Sequence, residues 1–472
     1  MRKFTIEEIL RATGGRLLGG DTAAEVTGFA IDSRLVNAGE MFFATRGARN
    51  DAHDFLADVI SRGCRSLLIS EPEKLPPEAE NMEDLNVIVA ADPLTALQEL
   101  AAWYLGTLPL KKKIGVTGSV GKTSTRDMLY YAAATTYKTG RNKKNYNSAY
   151  GLPLSILEFE PDTEIAVLEM AMDTYGEIRR LAEIVRPDIA IITQIAEVNL
   201  MGMGCLENIL KAKMEITTFF DENSTLIVNS TCPLLTPQQV GGSYRLLSVG
   251  AKESDDYQVK DICDFGDKGI KYTLRHKNKE YEIELPTAGA HNAFNASLAI
   301  AAAGLIGIEP ETAAAGLRNA RLTGKRLHIA SGNGIKVIDD TYNACEESVK
   351  SALNTLLATE GGRKVAILGD IIGLAHRSRD AHLEVGRYAI EQGVELLIAI
   401  GDEARYYAEG ARQIIESHGG EGQRALYFPQ KKDFLAAMDG LLAEGDTVLV
   451  KASRGMALEE IAEEILKGKK EK

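Results

Sequence analysis

Cysteine is sparse in this chain and unpatterned. Five cysteines (Cys64, Cys205, Cys232, Cys263 and Cys345) are scattered over 472 residues without a CxxC pair. That argues against both a zinc site and a disulfide framework. Long apolar runs are missing too. No segment approaches the roughly 18 continuous apolar residues of a membrane helix. The start, Met1-Arg2-Lys3-Phe4-Thr5-Ile6, lacks the apolar core of a signal peptide. These absences predict a cytosolic protein. Basic charge is in deficit: 54 Lys and Arg against 67 Asp and Glu give a net charge of −13, which speaks against a large nucleic-acid footprint. No internal repeat is found.

What is present is apolar residues enough, at 45%, for several cores, and a length that suggests roughly three domains. The most informative stretch is Ile114-Gly115-Val116-Thr117-Gly118-Ser119-Val120-Gly121-Lys122-Thr123-Ser124-Thr125. It reads as an apolar strand, a tight glycine loop, and a helix opening at Thr125-Arg126-Asp127. Such a turn aims backbone N–H groups and a helix N-terminus at one point, which suits a phosphate. Lys122 is then placed to reach the β/γ-phosphates, and the Thr123 hydroxyl to sit on Mg²⁺. The usual spacing puts Val116 where the first glycine should be, with Gly115 one residue early. The alternative is an ordinary glycine-rich turn.

The chain divides into three blocks, 1–108, 109–322 and 323–472. In the first, Thr5 and Glu8 form a capping pair for a helix, and Asp92-Pro93 starts an Ala/Leu helix running to about Leu105. Met41–Ala44, Ser66–Ile69 and Val87–Val89 read as strands, with a helix over Phe55–Arg62. In the second, strand-like runs at Ile165–Leu168 and Ile189–Ile192 alternate with helices, the pattern of a parallel, doubly wound sheet. Leu226–Leu285 reads as a smaller β-rich annex, and Asn292–Leu305 as an Ala-rich helix. In the third, strands at Val337-Ile338, Val365–Leu368, Leu396–Ile400 and Thr447–Val450 enclose helices over Ser348–Leu357, Ala381–Gln392 and Asp402–Ile415. This is a second α/β unit, Rossmann-like but without GxGxxG.

Several residues stand where chemistry is expected. Glu169 ends a strand, the end at which ligands bind in open α/β sheets, and a carboxylate there suits Mg²⁺. The alternative is a surface glutamate. Asn145, Asn147 and Ser148 read as substrate contacts or as a turn cluster. Lys213, in a helical run, is by itself a solvated cation. His291, Asn292 and Asn295 open a helix and can contact a base, or simply form an N-cap cluster. Asp339 and Asp340, followed by Tyr342 and Asn343, close a strand and can hold ribose hydroxyls. Lys451, with Ser453 and Arg454, offers cations to an anion at another strand end. Solvated turns are the alternative for both.

Taken in order, these motifs resemble those of the Mur ligases, most nearly the members that add D-alanyl-D-alanine to a UDP-muramoyl tripeptide. The resemblance spans essentially the whole chain. Asp32-Ser33-Arg34, Arg46-Gly47 and Asp51-Ala52-His53 look like the family's uridine-nucleotide-binding domain; Thr117–Ser124 looks like its phosphate loop. Asn145, Asn147, Glu169, Gly176-Glu177-Ile178, Lys213, His291-Asn292, Asn295, Arg326, Asp340, Tyr342-Asn343, Gly369-Asp370, Lys451 and Ser453-Arg454 follow in the family's order.

The resemblance implies a cytoplasmic, monomeric ligase acting on small molecules. Its substrate-binding residues would be Ser33, Arg34, Arg46, Asp51, His53, Asn145, Asn147, Ser148, Asn343, Lys451, Ser453 and Arg454. Gly118, Ser119, Val120, Gly121, Lys122, Thr123, Ser124, His291, Asn292, Asn295, Arg326, Asp340 and Tyr342 would bind ATP. Lys122, Glu169, Lys213 and Arg326 would be catalytic. Thr123, Glu169, Asn199 and Lys213, the last as a carbamate, would hold two Mg²⁺ ions. Departures are local. Asn199 stands where the family has a metal-site His. Gln194 replaces an Asn, Ser148 an Asn and Ala171 a Gly. Cys345-Glu346 replaces Asn-Pro, Gly373 a Glu and Ala452 a Gly. They leave two other readings: a paralogue with different acyl and amine substrates, and a nucleotide-binding regulator without ligase activity.

Overall fold

In the computed structural model, residues 2–47, 50–198, 200–418 and 422–468 are described. They form two compact units. One comprises Met1–Thr117, Thr136–Ala190 and Glu215–Thr225; the other comprises Gly118–Thr135, Ile191–Met214 and Leu226–Lys472.

The first unit begins with the helix Ile6–Thr13. The Glu8 N–H donates to Thr5 Oγ1 at 3.2 Å and the Thr5 N–H donates to Glu8 Oε2 at 3.0 Å, a closed capping box. A five-stranded sheet follows in the order Arg16–Gly19, Asn86–Val89, Ser66–Ile69, Glu40–Phe43, Gly28–Ala30. All its pairs are parallel except the first. The helix expected at Phe55–Arg62 is found over Leu56–Ser61, preceded by a 3-10 turn over Ala52–Phe55. The Asp51 side chain accepts from the His53 N–H and sets the turn. The helix Pro93–Thr107 is capped by Asp92, which accepts from the Thr95 N–H at 2.9 Å. Its buried Tyr104 donates to the Phe159 carbonyl at 2.7 Å. Three further parallel strands, Lys112–Thr117, Ile165–Glu169 and Thr139–Arg141, have Ile165–Glu169 at the centre.

The second unit holds the helices Lys122–Ala133, Leu206–Met214 and His291–Leu305, the first and last packed on each other. The helix after the glycine loop starts at Lys122, earlier than expected, because Gly121 at φ 85° caps it. The β-rich stretch takes the form of four consecutive strands of one sheet, Arg245–Gly250, Tyr257–Asp264, Ile270–His276 and Lys279–Leu285. The last three are antiparallel.

A six-stranded sheet ends the chain. Its order is His328–Gly332, Ile335–Asp340, Thr447–Lys451, Lys364–Gly369, Leu396–Ile400, Arg424–Phe428. Every pair is parallel except the first. Strand side chains alternate between faces, and both faces are covered here. Ile338, Ala366 and Leu368 enter one core with Val349 and Leu353 of the helix Glu346–Ala358. Val337, Val365 and Ile367 enter the other with Ile461 of the helix Glu459–Lys467. Double burial explains why these strands read as unbroken apolar runs. The edge strand His328–Gly332, not foreseen, returns through Asn333-Gly334, both at positive φ (51° and 71°), the two-residue hairpin geometry. Among the described residues no helix is long and apolar enough to cross a membrane.

Candidate functional site

The loop Gly118–Gly121 is held from outside. The Ser119 N–H donates to the Gln194 carbonyl at 2.6 Å, and Thr193 Oγ1 donates to the Val120 carbonyl at 2.5 Å. Ser119 Oγ donates to the Ala196 carbonyl at 3.1 Å. Gly118 sits at φ 143°, and a Cβ there would collide with Thr193 Oγ1. A Cβ on Gly121 would lie 2.6 Å from Asn295 Oδ1. The loop therefore needs glycine at both ends. Lys122 Nζ folds over it, donating to the Gly118 carbonyl at 2.8 Å and the Ser119 carbonyl at 2.9 Å.

The helix His291–Leu305 meets this loop. Asn295 Oδ1 accepts from Thr125 Oγ1 at 3.3 Å, and its Nδ2 donates to Asn292 Oδ1 at 3.0 Å. Asn292 Nδ2 in turn donates to the Ala288 carbonyl at 2.8 Å. These side chains make no N-cap hydrogen bond; the cap-cluster reading is replaced by a chain of amides leading to Gly121. His291 Nδ1 faces Ser351 Oγ at 2.7 Å.

Arg326 reaches the same place from the other side. Its guanidinium lies 4.2 Å from the Tyr342 ring centroid, and Nη2 donates to Thr123 Oγ1 at 3.0 Å. Its Nε is buried without a partner. Thr123 and Lys213 are almost wholly buried, so Lys213 is no solvated cation. Asn199 lies outside the described residues.

The strand ends of the last sheet carry a buried ion pair. Asp340 and Lys451, opposite each other in register, pair at 2.6 Å. Lys451 is only 2% exposed and also donates to the Asn343 carbonyl at 2.8 Å. Its charge is met inside the fold by the Asp340 carboxylate. Asp339 likewise turns inward, accepting from Thr341 Oγ1 at 2.6 Å. Ser453 Oγ accepts from the Ile372 N–H at 2.8 Å. Arg454 remains exposed, 3.4 Å from Glu459. Cys345 and Glu346 start a helix; Glu346 pairs with Lys350 at 2.8 Å, and burial pushes the Cys345 thiol up to about 11.

The remaining candidates lie in the first unit. Glu169 is buried at its strand end; Asn147 Nδ2 donates to its Oε1 at 2.7 Å. Asn142, not foreseen, brackets the Glu169 backbone: it accepts from the N–H at 2.9 Å and donates to the carbonyl at 3.0 Å. Asn145 is exposed, and Ser148 Oγ accepts from the Gly151 N–H at 3.4 Å. Arg34 pairs with Asp32 at 2.7 Å, and that hydrogen bond holds the Asp32 carboxyl down at about 2. Ser33 lies between them. His53 is buried and braced on both ring nitrogens: Nδ1 meets Asp51 Oδ1 at 2.6 Å and Nε2 accepts from the Ser70 N–H at 3.0 Å. Asp51, His53 and Glu71 cluster closely enough for a metal. Arg46 pairs with both carboxylates, however, and Lys74 meets Asp51 at 2.9 Å.

A glycine loop clamped over a helix N-terminus, with a lysine folded on it, defines a phosphate-binding α/β protein. Its relatives narrow the class. Residues 116–303 match the Mur ligase middle domain and residues 325–454 match the Mur ligase glutamate ligase domain. The chain is 36% identical over 469 residues to the UDP-N-acetylmuramoyl-tripeptide–D-alanyl-D-alanine ligase of Bacillus subtilis (strain 168), covering 99% of each. It is 30% identical, over 98% of each, to the ligase of the same name from Escherichia coli (strain K12). The structure of MurF from Acinetobacter baumannii superposes with a TM-score of 0.88 at 27% identity, over 99% of this chain and 100% of that one. The MurF ligase from Thermotoga maritima in complex with ADP gives 0.78 at 25%, over 93% and 97%. The chain belongs to the Mur ligase family.

Thr193 and Asn142 escaped the sequence reading. Each acts through backbone groups far away in the chain, and neither carries a motif of its own. The one available signal was a polar residue directly after an apolar strand, as Thr193 is after Ile189–Ile192.

Proposed function

We propose that this chain is an ATP-dependent amide-bond ligase that adds D-alanyl-D-alanine to UDP-N-acetylmuramoyl tripeptide, in the cytoplasm, as a step of peptidoglycan precursor synthesis. The observation that carries this reading is the clamped glycine loop with Lys122 and Thr123, in a chain that matches that ligase end to end. Residues 1–108 would hold the uridine nucleotide, 109–322 the ATP, and 323–472 would close over both. A monomer suffices for this arrangement.

The chemistry runs in two displacements. A carboxylate oxygen of the tripeptide attacks the γ-phosphorus, the bond to the β-phosphate oxygen breaks, and ADP leaves. The dipeptide amine then attacks the acyl carbonyl, loses a proton, and phosphate departs with the C–O bond electrons. Lys122 would exchange its two carbonyl partners for phosphate oxygens and neutralise the charge building there. Arg326 holds the Thr123 hydroxyl in place and adds a second cation. Asn147 and Asn142 orient Glu169.

The Thr123 hydroxyl and Glu169 carboxylate are oxygen donors, which is what Mg²⁺ requires. The ion would supply charge neutralisation on the phosphates. As the family resemblance implies, the Lys213 amine would add CO2 and lose a proton, giving a carbamate anion able to hold a second Mg²⁺. Closure excludes water, which would otherwise hydrolyse the acyl phosphate.

The test is phosphate release from ATP with Mg²⁺ and UDP-muramoyl tripeptide, with and without D-alanyl-D-alanine, and mass detection of product. Release that needs both substrates, with the pentapeptide formed, is expected. No turnover in protein that still binds ATP would overturn the assignment.

A further inference from the structure

Arg126 is the first of the largest wholly buried side chains, and the site described above does not use it. Its guanidinium meets the neighbouring Asp127 Oδ1 at 2.9 Å from Nε and 2.6 Å from Nη2, and both side chains have no solvent exposure. Two adjacent charges sealed inside a helix are an expensive way to make a core, because apolar residues of similar size would commonly be as stable or more so. What sets this pair apart is its shared third partner. Asp127 Oδ2 accepts from the Thr323 backbone N–H at 2.6 Å, and Arg126 Nη2 donates to Thr323 Oγ1 at 3.1 Å.

Thr323 lies midway along the connector, residues 318–327, between the helix Pro310–Leu317 and the strand His328–Gly332, and starts its second half, Thr323–Leu327. Gly324 follows at φ 87°, then Arg326 on Thr123 and Tyr342, then Leu327 at φ 49° with its N–H on Asp340. The helix Lys122–Ala133 thus carries two grips one turn apart. Lys122 and Thr123 face the phosphate loop, while Arg126 and Asp127 hold Thr323 in the connector. These contacts tie the helix to the connector through side chains that have no solvent exposure.

We propose that Arg126 and Asp127 are positioning residues that couple occupancy of the phosphate loop to the conformation of the connector Thr323–Leu327, and through it to the last sheet. This rests on the nucleotide-binding reading of the loop. The experiment is hydrogen–deuterium exchange of the full chain with and without Mg·ADP, together with steady-state kinetics. The native chain is compared with Thr323→Val, which keeps shape and N–H but deletes the hydroxyl, and with Thr323→Ser, which restores it.

In the native chain, nucleotide is expected to slow exchange at both 118–124 and 323–327. In Thr323→Val the protection at 323–327 should be lost and kcat should fall about three- to tenfold, the worth of one hydrogen bond. Nucleotide affinity should stay within about twofold, because this contact lies outside the phosphate site, where a loss of one hydrogen bond would cost more. Thr323→Ser should recover both readouts. No nucleotide-dependent protection at 118–124 in the native chain would sink the nucleotide reading itself. Protection there but not at 323–327 would sink the coupling alone. So would a Thr323→Val variant that melts earlier yet keeps native kcat per folded molecule and native protection at 323–327, since that is the behaviour of a plain structural brace.

Discussion

Replacing Gly121 by alanine tests the geometry of the loop against arithmetic. The residue sits at φ 85°, which costs a residue with a Cβ about 1–2 kcal/mol. The new Cβ would also stand 2.6 Å from Asn295 Oδ1. Asn295 is short, buried, and tied to Thr125 and Asn292. It cannot step aside without breaking both bonds, at about 1 kcal/mol each. Gly121→Ala should therefore destabilise by about 3–4 kcal/mol, and Asn295→Ala alone by about 2. If the effects were independent the double variant would lose about 5–6 kcal/mol. The collision, however, exists only when both side chains are present. The double variant should fall back to about 3–4 kcal/mol, a coupling of about 2. Urea unfolding without nucleotide measures all four proteins. Simple additivity would refute the argument, because it would mean that Asn295 does not crowd the loop.

Three further outcomes follow from other contacts. Asp340→Asn leaves the Lys451 ammonium buried without a counter-charge and should cost about 3–5 kcal/mol in urea unfolding, whereas Asp340→Leu combined with Lys451→Met should recover most of it. A neutral result for the single variant would show that the pair is not electrostatically stressed. His382 is wholly buried, accepts from the Ile371 N–H through Nε2 and faces the Ser378 carbonyl through Nδ1; burial pushes its pKa below 6.5. The unfolded chain then binds a proton that the folded chain refuses, so this stability is present above pH 6.5 and is lost as pH falls below it. The decline in unfolding free energy from neutral to mildly acidic pH should be shallower in His382→Asn, and an unchanged slope would count against this. Asn147→Ala removes the donor to Glu169 Oε1 and should raise the Mg²⁺ concentration for half-maximal activity roughly tenfold, as loss of an outer-sphere partner does; an unaltered Mg²⁺ titration would remove Asn147 from the site.

Local chemistry was the most legible part of this chain. The Thr5–Glu8 capping box and the Asp92 cap lie within three residues of their partners, so pattern alone finds them. Leu396–Ile400 and Ser66–Ile69 were readable as strands because burial on both faces leaves runs that are apolar apart from Ser66. Arg424–Phe428 and His328–Gly332 were not, since each lies at a sheet edge where half-buried and polar side chains blur the period. The site shows the same division. The glycine loop declared itself, whereas the Arg126–Asp127–Thr323 and Thr193–Val120 contacts join residues up to 197 apart in the chain. The mutual neutralisation of Asp340 and Lys451 was hidden for a related reason: parallel register, which no motif records, sets them side by side.

Lys122 rests on the carbonyl oxygens of Gly118 and Ser119, and this makes it a placeholder. The cation is already seated on the loop, where it holds the Gly118 and Ser119 carbonyls. On the proposed reading, an arriving triphosphate would offer Lys122 charged acceptors in place of neutral carbonyls, and charged acceptors bind an ammonium more strongly. When product leaves, the same two carbonyls would take the lysine back. The loop can therefore be reset in every cycle by a single side chain changing partners.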